Sequence, residues 1–87
     1  MTENQLHTPP IVTDLLQFQN TCNNIVTELI QCRKSAGLSQ SELAEWVGSY
    51  RARIARLEAT SPVTDIEAMF MVAEKFGVRI KIEHDFS

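Results

Sequence analysis

The sequence predicts a compact all-α domain of about four to five helices that ends in a β-strand. Apolar residues recur at three- and four-residue spacing along most of the chain, which is typical of helices. Two capping-box patterns, Ser39 with Glu42 and Thr64 with Glu67, indicate where two of the helices begin. The stretch from Val78 to Glu83 alternates apolar and charged residues, which predicts a strand.

Length and composition narrow the class of protein. The chain has 87 residues, a net charge of −3 and a hydrophobic share of 44%, which together indicate one small globular domain. No apolar run approaches the roughly 20 residues of a membrane span, and the polar start lacks a signal-peptide pattern. We therefore expect a cytoplasmic protein. Cys22 and Cys32 lie too far apart on one helix to pair, so we interpret both as small buried hydrophobes.

The first third of the chain predicts a mobile arm and then a helix. Residues 1–12 are polar and contain two prolines, so we expect a flexible N-terminal arm, with Thr13 or Asp14 capping the helix that follows. Weak helix formers around 20–24 leave open whether this stretch is one helix or two. Its predicted inward residues are Leu15, Phe18, Cys22, Ile25, Leu29 and Cys32.

The central segment predicts two short helices joined by a tight turn. The first begins at Ser39 or Gln40 and ends at Gly48, because glycine tolerates the positive φ that such a turn needs. The second runs from about Tyr50 to Glu58 and turns Ile54 and Leu57 inward. Its outward residues are Arg51, Ala52, Arg53 and Arg56, which include three of the eight basic residues of the chain. Such a pair of helices is typical of proteins that insert a helix into the DNA major groove.

This segment resembles the helix-turn-helix of the XRE, or lambda-repressor-like, family. The residues that carry the resemblance are Arg33, Gly37-Leu38-Ser39-Gln40, Glu42-Leu43-Ala44, Gly48 and Ile54-Ala55-Arg56-Leu57-Glu58. The resemblance implies a DNA-binding repressor that acts as a homodimer on double-stranded operator DNA. Together with the patterns at the two ends of the chain, it divides the sequence into a flexible arm at 1–12, the helix-turn-helix domain at 13–77, and a dimerisation strand and tail at 78–87.

The resemblance assigns roles to individual residues. The residues expected to contact DNA are Gln40, Ser49, Tyr50, Arg51, Ala52, Arg53 and Arg56. In the family, a Ser or Thr caps the second helix of the motif, the recognition helix. Tyr50 occupies that position here, so the preceding residue, Ser49, is expected to provide the cap. Arg33 and Glu58 are expected to form a structural ion pair between the first and third family helices.

The end of the chain predicts a dimer contact. A lone strand leaves its backbone groups unpaired, so we expect it to pair with the same strand of a second copy, with Val78, Ile80 and Ile82 on one face. An antiparallel register centred on Ile82 would place opposite charges across the ladder.

The size and ending of the chain resemble antitoxins of the HipB and HigA type, which bind a toxin and repress their own operon. Two alternatives stay open: a phage or restriction-modification regulator without a toxin, and an interaction module that has lost DNA binding. The sequence contains no catalytic motif. His7 and His84 have no ligand partners at metal-binding spacing. We therefore expect no enzyme activity, no cofactor and no metal.

Overall fold

The computed structural model describes residues 10–59 and 64–81. This part of the chain forms four α-helices and no strand. We number them α1 (Pro10–Ser35), α2 (Gln40–Val47), α3 (Arg51–Glu58) and α4 (Ile66–Phe76). None of the four has the length and apolar character needed to cross a lipid bilayer. The all-α prediction is confirmed for these residues, whereas Ile82 and the rest of the tail lie outside them, as do residues 1–9.

Helix α1 is one continuous helix of 26 residues. The weak helix formers in its middle do not break it, and the hydroxyls of Thr21 and Thr27 each donate to the carbonyl four residues earlier, at 3.0 Å. The helix begins at Pro10, before the predicted caps Thr13 and Asp14, so the last part of the predicted arm is helical. Proline suits the first position of a helix because its missing N–H would have no partner there.

The first turns of α1 extend beyond the bundle. Leu15 and Phe18, which the spacing places inward, are 62% and 42% exposed, and their neighbour Leu16 is 58% exposed. The prediction that Leu15 and Phe18 face the core is wrong, because α1 is far longer than the helices of 8 to 11 residues that pack against it. Cys22 is buried as predicted, and its burial raises the pKa of the thiol, whereas Cys32 is partly exposed.

The core lies where the four helices meet. Each helix contributes fully buried apolar side chains, which are Cys22, Val26, Leu29, Leu43, Ala44, Ile54, Leu57, Ala68, Met69, Val72 and Ala73. Trp46 of α2 meets Phe76 of α4 edge to face, with ring centroids 5.2 Å apart, and the Lys75 ammonium lies 5.7 Å from the Trp46 ring centre. These contacts fix α2 against the end of α4.

Helix α2 begins and ends as the sequence predicts. The Glu42 N–H donates to Ser39 Oγ at 3.0 Å, and the Ser39 N–H donates to Glu42 Oε1 at 2.8 Å, which completes the capping box. The bond from the Ser39 backbone is the main cause that lowers the pKa of Glu42. Gly48 ends the helix with φ 74°, and the Ser49 N–H then donates to the Ala44 carbonyl at 2.8 Å. The tight turn into α3 follows from this left-handed residue.

The predicted start of α4 is wrong by one residue. Asp65, not Thr64, is the N-cap, and its Oδ1 accepts from the Ala68 N–H at 3.1 Å. The Thr64 hydroxyl instead accepts from Gln19 Nε2 of α1 at 3.2 Å, so it is turned away from the helix end. An aspartate caps as well as a threonine does, and here it also meets a side chain of α3.

The residues after α4 run back along the bundle. Val78 and Ile80 are partly buried against the core, whereas Arg79 and Lys81 are exposed. The alternation of faces therefore follows the sequence pattern, although no strand pairing is formed within the part of the chain that the structure covers.

A bidentate ion pair ties α1 to α3. Arg33 Nε lies 2.7 Å from Glu58 Oε2, and Arg33 Nη2 lies 2.9 Å from Glu58 Oε1. The two side chains are only 12% and 9% exposed. The remaining guanidinium nitrogen, Arg33 Nη1, donates to the Leu38 carbonyl at 2.8 Å and so also holds the loop before α2. Breaking such a pair leaves a charge in a poorly hydrated site.

Arg33→Ala should lower the free energy of unfolding by about 3 kcal/mol, because it leaves the Glu58 carboxylate buried without its partner. In a domain of this size the melting temperature should fall by more than about 10 °C. Lys34→Ala, which removes an exposed positive charge from the adjacent position, is the control and should melt close to the wild type. Equal melting of the two variants would show that the pair adds nothing to stability.

Candidate nucleic-acid interface

Helix α3 has one buried face and one exposed face. Ile54 and Leu57 are buried in the core, whereas Arg51, Ala52 and Arg56 are exposed. At about 100° per residue, Ala52 and Arg56 lie near the centre of the exposed face and Arg51 lies on one edge of it. The exposed face therefore carries two long, positively charged side chains, Arg51 and Arg56, and the small apolar side chain of Ala52.

Tyr50 stands at the entrance to α3. It is the N-cap residue with extended backbone, but its side chain makes no capping hydrogen bond. Its phenol is exposed and accepts a long hydrogen bond of 3.4 Å from Arg56 Nη2. Tyr50 and Arg56, both expected to contact DNA, are thus brought together at the surface.

Ser49 does not play the part that the resemblance assigns to it. Its hydroxyl is buried and has no hydrogen-bond partner among the described residues, and its N–H is taken by the turn after α2. The prediction that Ser49 caps α3 is wrong, because Tyr50 occupies that position. Since the hydroxyl is not presented to solvent, Ser49 is not one of the surface donors of this site.

Gln40 opens α2 close to the ion pair of the fold. Its side-chain amide donates to Glu58 Oε1 at 3.1 Å, the same oxygen that Arg33 Nη2 contacts. Gln40, Arg33 and Glu58 therefore form one polar cluster between the start of α2 and the end of α3. An amide nitrogen has two N–H groups, so Gln40 keeps one for a further acceptor.

Arg53 is held by two acids at the start of α4. Its Nε lies 2.7 Å from Asp65 Oδ2, and its Nη2 lies 3.1 Å from Asp65 Oδ1 and 2.8 Å from Glu67 Oε1. The Arg53 side chain is 20% exposed. It sits on the flank of α3, between exposed Ala52 and buried Ile54, so the outward orientation expected from the sequence is corrected to a lateral one.

These contacts shift the titration of the partners. The hydrogen bonds from Arg53 are the main cause that lowers the pKa of Asp65, with a further contribution from the Ala68 N–H. The two carboxylates raise the pKa of Arg53 above its already high ordinary value. Arg53 is therefore a permanent cation whose charge is already matched within the protein.

Asp65 and Glu67 belong to this site, although the sequence pattern does not indicate it. The pattern predicts that Glu67 completes a capping box with Thr64, and it gives Asp65 no role. Their contacts with Arg53 span 12 and 14 residues across the segment between α3 and α4, and no local pattern encodes such a distance. The one signal that could have found them is an arginine on α3 followed by two acids at the start of the next helix.

No group of three or more His, Cys, Asp or Glu side chains is arranged to hold an ion within the part of the chain that the structure covers. The exposed face of α3 carries Arg51 and Arg56, whose guanidinium groups can donate hydrogen bonds to guanine edges and to phosphates.

A family model described as Helix-turn-helix matches residues 29–82, more than half of the chain. The chain belongs to the helix-turn-helix family. This helix-turn-helix protein is of the XRE type, and the match supports a DNA-binding transcription regulator. Neither the curated proteins nor the solved structures give a significant match.

The Arg53–Asp65 contact should make the free energy of unfolding depend on pH in the acid range. Because the folded pKa of Asp65 is lowered, its contribution is present above the ordinary value of about 3.9 and is lost as the pH falls below it. Wild type should therefore be more stable than Asp65→Asn at pH 7, and urea unfolding at about pH 3 should show this difference shrinking.

Comparing Asp65→Ala with Asp65→Asn distinguishes the contribution of the helix cap from that of the ion pair. Asparagine keeps the helix cap, so Asp65→Ala should be about 1 kcal/mol less stable than Asp65→Asn at both pH values. If wild type and Asp65→Asn unfold identically at pH 7, the contact with Arg53 does not stabilise the domain.

Proposed function

We propose that this helix-turn-helix protein is a sequence-specific transcriptional repressor that inserts α3 into the DNA major groove. The observation that carries the proposal is the exposed face of α3, where Arg51, Ala52 and Arg56 stand free of the core. Membership of the helix-turn-helix family supports the same orientation, since the second helix of the motif reads the groove. Repression would follow from occupying the operator.

Each exposed residue has a chemical role in this proposal. Arg56 and Arg51 donate to guanine O6 and N7 or to phosphates, and Ala52 contacts a thymine methyl. Tyr50, which holds Arg56 at 3.4 Å, orients that guanidinium and reaches the backbone at the groove edge. Gln40 uses its remaining amide N–H for a phosphate, since it sits at the start of α2.

Arg53 takes a different role from the one expected of it. Its Nε is engaged by Asp65, so we assign it to positioning α3 against α4 and not to reading a base. Ser49, whose hydroxyl is buried, contributes through the turn geometry alone.

We propose that the protein works as a homodimer through residues 78–87. Val78 and Ile80 pack on the core while Arg79 and Lys81 face outward, which suits an edge that pairs with a second copy. In an antiparallel ladder centred on Ile82, Lys81 lies opposite the partner's Glu83, and such opposite charges stabilise the ladder. Two copies would then present two α3 helices to successive major grooves.

We also propose that the protein is the antitoxin of a type II toxin–antitoxin pair, which binds a toxin and represses its own operon. The net charge of −3 suits a basic partner, and Leu15, Leu16 and Phe18 give α1 an exposed apolar stripe suited to a protein contact. The alternative is a phage or restriction-modification regulator without a toxin. A toxin-like kinase or RNase gene beside this one favours the antitoxin, and a methylase or integrase gene favours the alternative.

An interaction module without DNA binding has less support. Pairing of the α3 arginines with acids would have favoured it, and Arg53 is so paired. Arg51 and Arg56 remain exposed, which leaves the groove-facing cations in place.

Arg56→Gln should weaken binding to a duplex selected from a random-sequence library. Losing a bidentate contact to guanine costs about 1–3 kcal/mol, or roughly 5- to 150-fold in affinity. Arg51→Gln should act in the same direction, and both should melt like the wild type because the residues are exposed. Lys34→Gln, which removes one exposed positive charge from the end of α1, is the control. If all three variants bind alike in a gel-shift titration, α3 is not the reading helix.

Ile82→Pro should convert the dimer to a monomer, because proline removes a ladder N–H from the pairing strand. Sedimentation equilibrium measures the change, and Ile82→Val, which keeps both the N–H and the β-branched shape, should remain dimeric. A dimer that survives Ile82→Pro would place the association elsewhere on the molecule.

A further inference from the structure

The two acids that hold Arg53 are not equivalent. Asp65 accepts from Arg53 Nε and Nη2 and also caps α4, so it is part of the fold. Glu67 sits in the first turn of α4, is 79% exposed, and accepts from Arg53 Nη2 at 2.8 Å. Asp65 therefore holds the guanidinium with both of its oxygens, and Glu67 adds a third carboxylate oxygen on the solvent side.

The position of this contact matters for a helix that enters a groove. Arg53 lies on the flank of the exposed face of α3, three residues before Arg56, and its side chain is 20% exposed. In the proposed docking, the flanks of a helix inserted in the major groove lie beside the phosphate strands that border the groove. A phosphate oxygen and a carboxylate oxygen are alternative acceptors for the same N–H. The Glu67 carboxylate also repels phosphates placed within a few ångströms of it.

We propose that Glu67 restrains DNA binding by occupying one N–H group of Arg53 Nη2 and by placing a negative charge where a backbone phosphate would bind. This inference rests on the proposed function, that α3 docks on duplex DNA. The restraint acts on phosphate contacts, which are the same for every sequence, and not on base contacts. Glu67 thus lowers non-specific affinity and leaves discrimination to Arg51, Ala52 and Arg56.

The strength of the two contacts supports an exchange. The Arg53–Glu67 pair is solvent-exposed on the glutamate side, and pairs of that kind are weak. Nη2 has two N–H groups, one directed to Asp65 Oδ1 and one to Glu67 Oε1, so a phosphate can replace Glu67 at the second while Nε and the first stay on Asp65. The anchor to α4 survives the exchange.

Glu67→Gln tests the proposal with a fluorescein-labelled random-sequence duplex about three helical turns long, titrated by fluorescence anisotropy between 50 and 200 mM KCl. Glu67→Gln should bind more tightly than wild type. Its log–log slope against salt should be steeper by about 0.9, the value of one added phosphate contact. The gain in affinity should therefore shrink by about 3- to 4-fold across this salt range.

Two further variants separate this effect from simple charge. Glu74→Gln removes the same charge from the exposed far end of α4 and should give a smaller gain with an unchanged slope. In an Arg53→Gln background, Glu67→Gln should act no more strongly than Glu74→Gln, because the Nη2 N–H group that it frees is gone.

The outcomes that overturn the proposal are distinct. Equal effects of Glu67→Gln and Glu74→Gln, or an effect of Glu67→Gln that persists without Arg53, would leave only net charge as the cause. A lower affinity with a lower melting temperature would make Glu67 a structural brace. If wild type binds the duplex and these results appear, only this inference fails. If no variant binds any duplex, the proposed function fails and the inference with it.

Discussion

The orientation of α3 depends first on the ion pair between Arg33 and Glu58. One guanidinium reaches the end of α3 through Glu58 and the loop before α2 through the Leu38 carbonyl. Gln40 joins the same carboxylate from the start of α2. Both side chains are about nine-tenths buried, so their attraction offsets the cost of desolvation only in this geometry. A shift of α1 against α3 would leave a buried charge without its partner. This cluster therefore fixes the end of α3 relative to α1 and to the start of α2.

A second anchor holds the flank of α3. Arg53 bonds to Asp65, and Asp65 also caps α4, so one carboxylate links the orientation of the recognition helix to the first turn of the next helix. With Glu58 at its end and Arg53 on its flank, α3 is held at two points. The residues left exposed are Arg51, Ala52 and Arg56, which we propose contact DNA. A helix held at two points has less conformational freedom to lose on binding.

Local signals account for the part of the fold that the sequence predicts. The capping box at Ser39 and the left-handed Gly48 each depend on residues within a few positions, and both are as expected. Signals that depend on neighbours far along the chain were missed. Leu15 and Phe18 have helical spacing, but nothing in the sequence says that the bundle ends before them. Arg53 looks like Arg56 in a helical projection, and only the fold brings Asp65 to one of them and not to the other.

The central claim is that the exposed face of α3 meets DNA while both of its anchors stay in place. The most direct measurement is the ¹⁵N–¹H correlation spectrum of the labelled protein with and without a selected duplex. We expect the largest changes at the amides of Ala52 and Arg56 and at Gln40, with the Nε–H signals of Arg33 and Arg53 retained. Changes confined to α1 or to residues 78–81, with α3 unaffected, would contradict it.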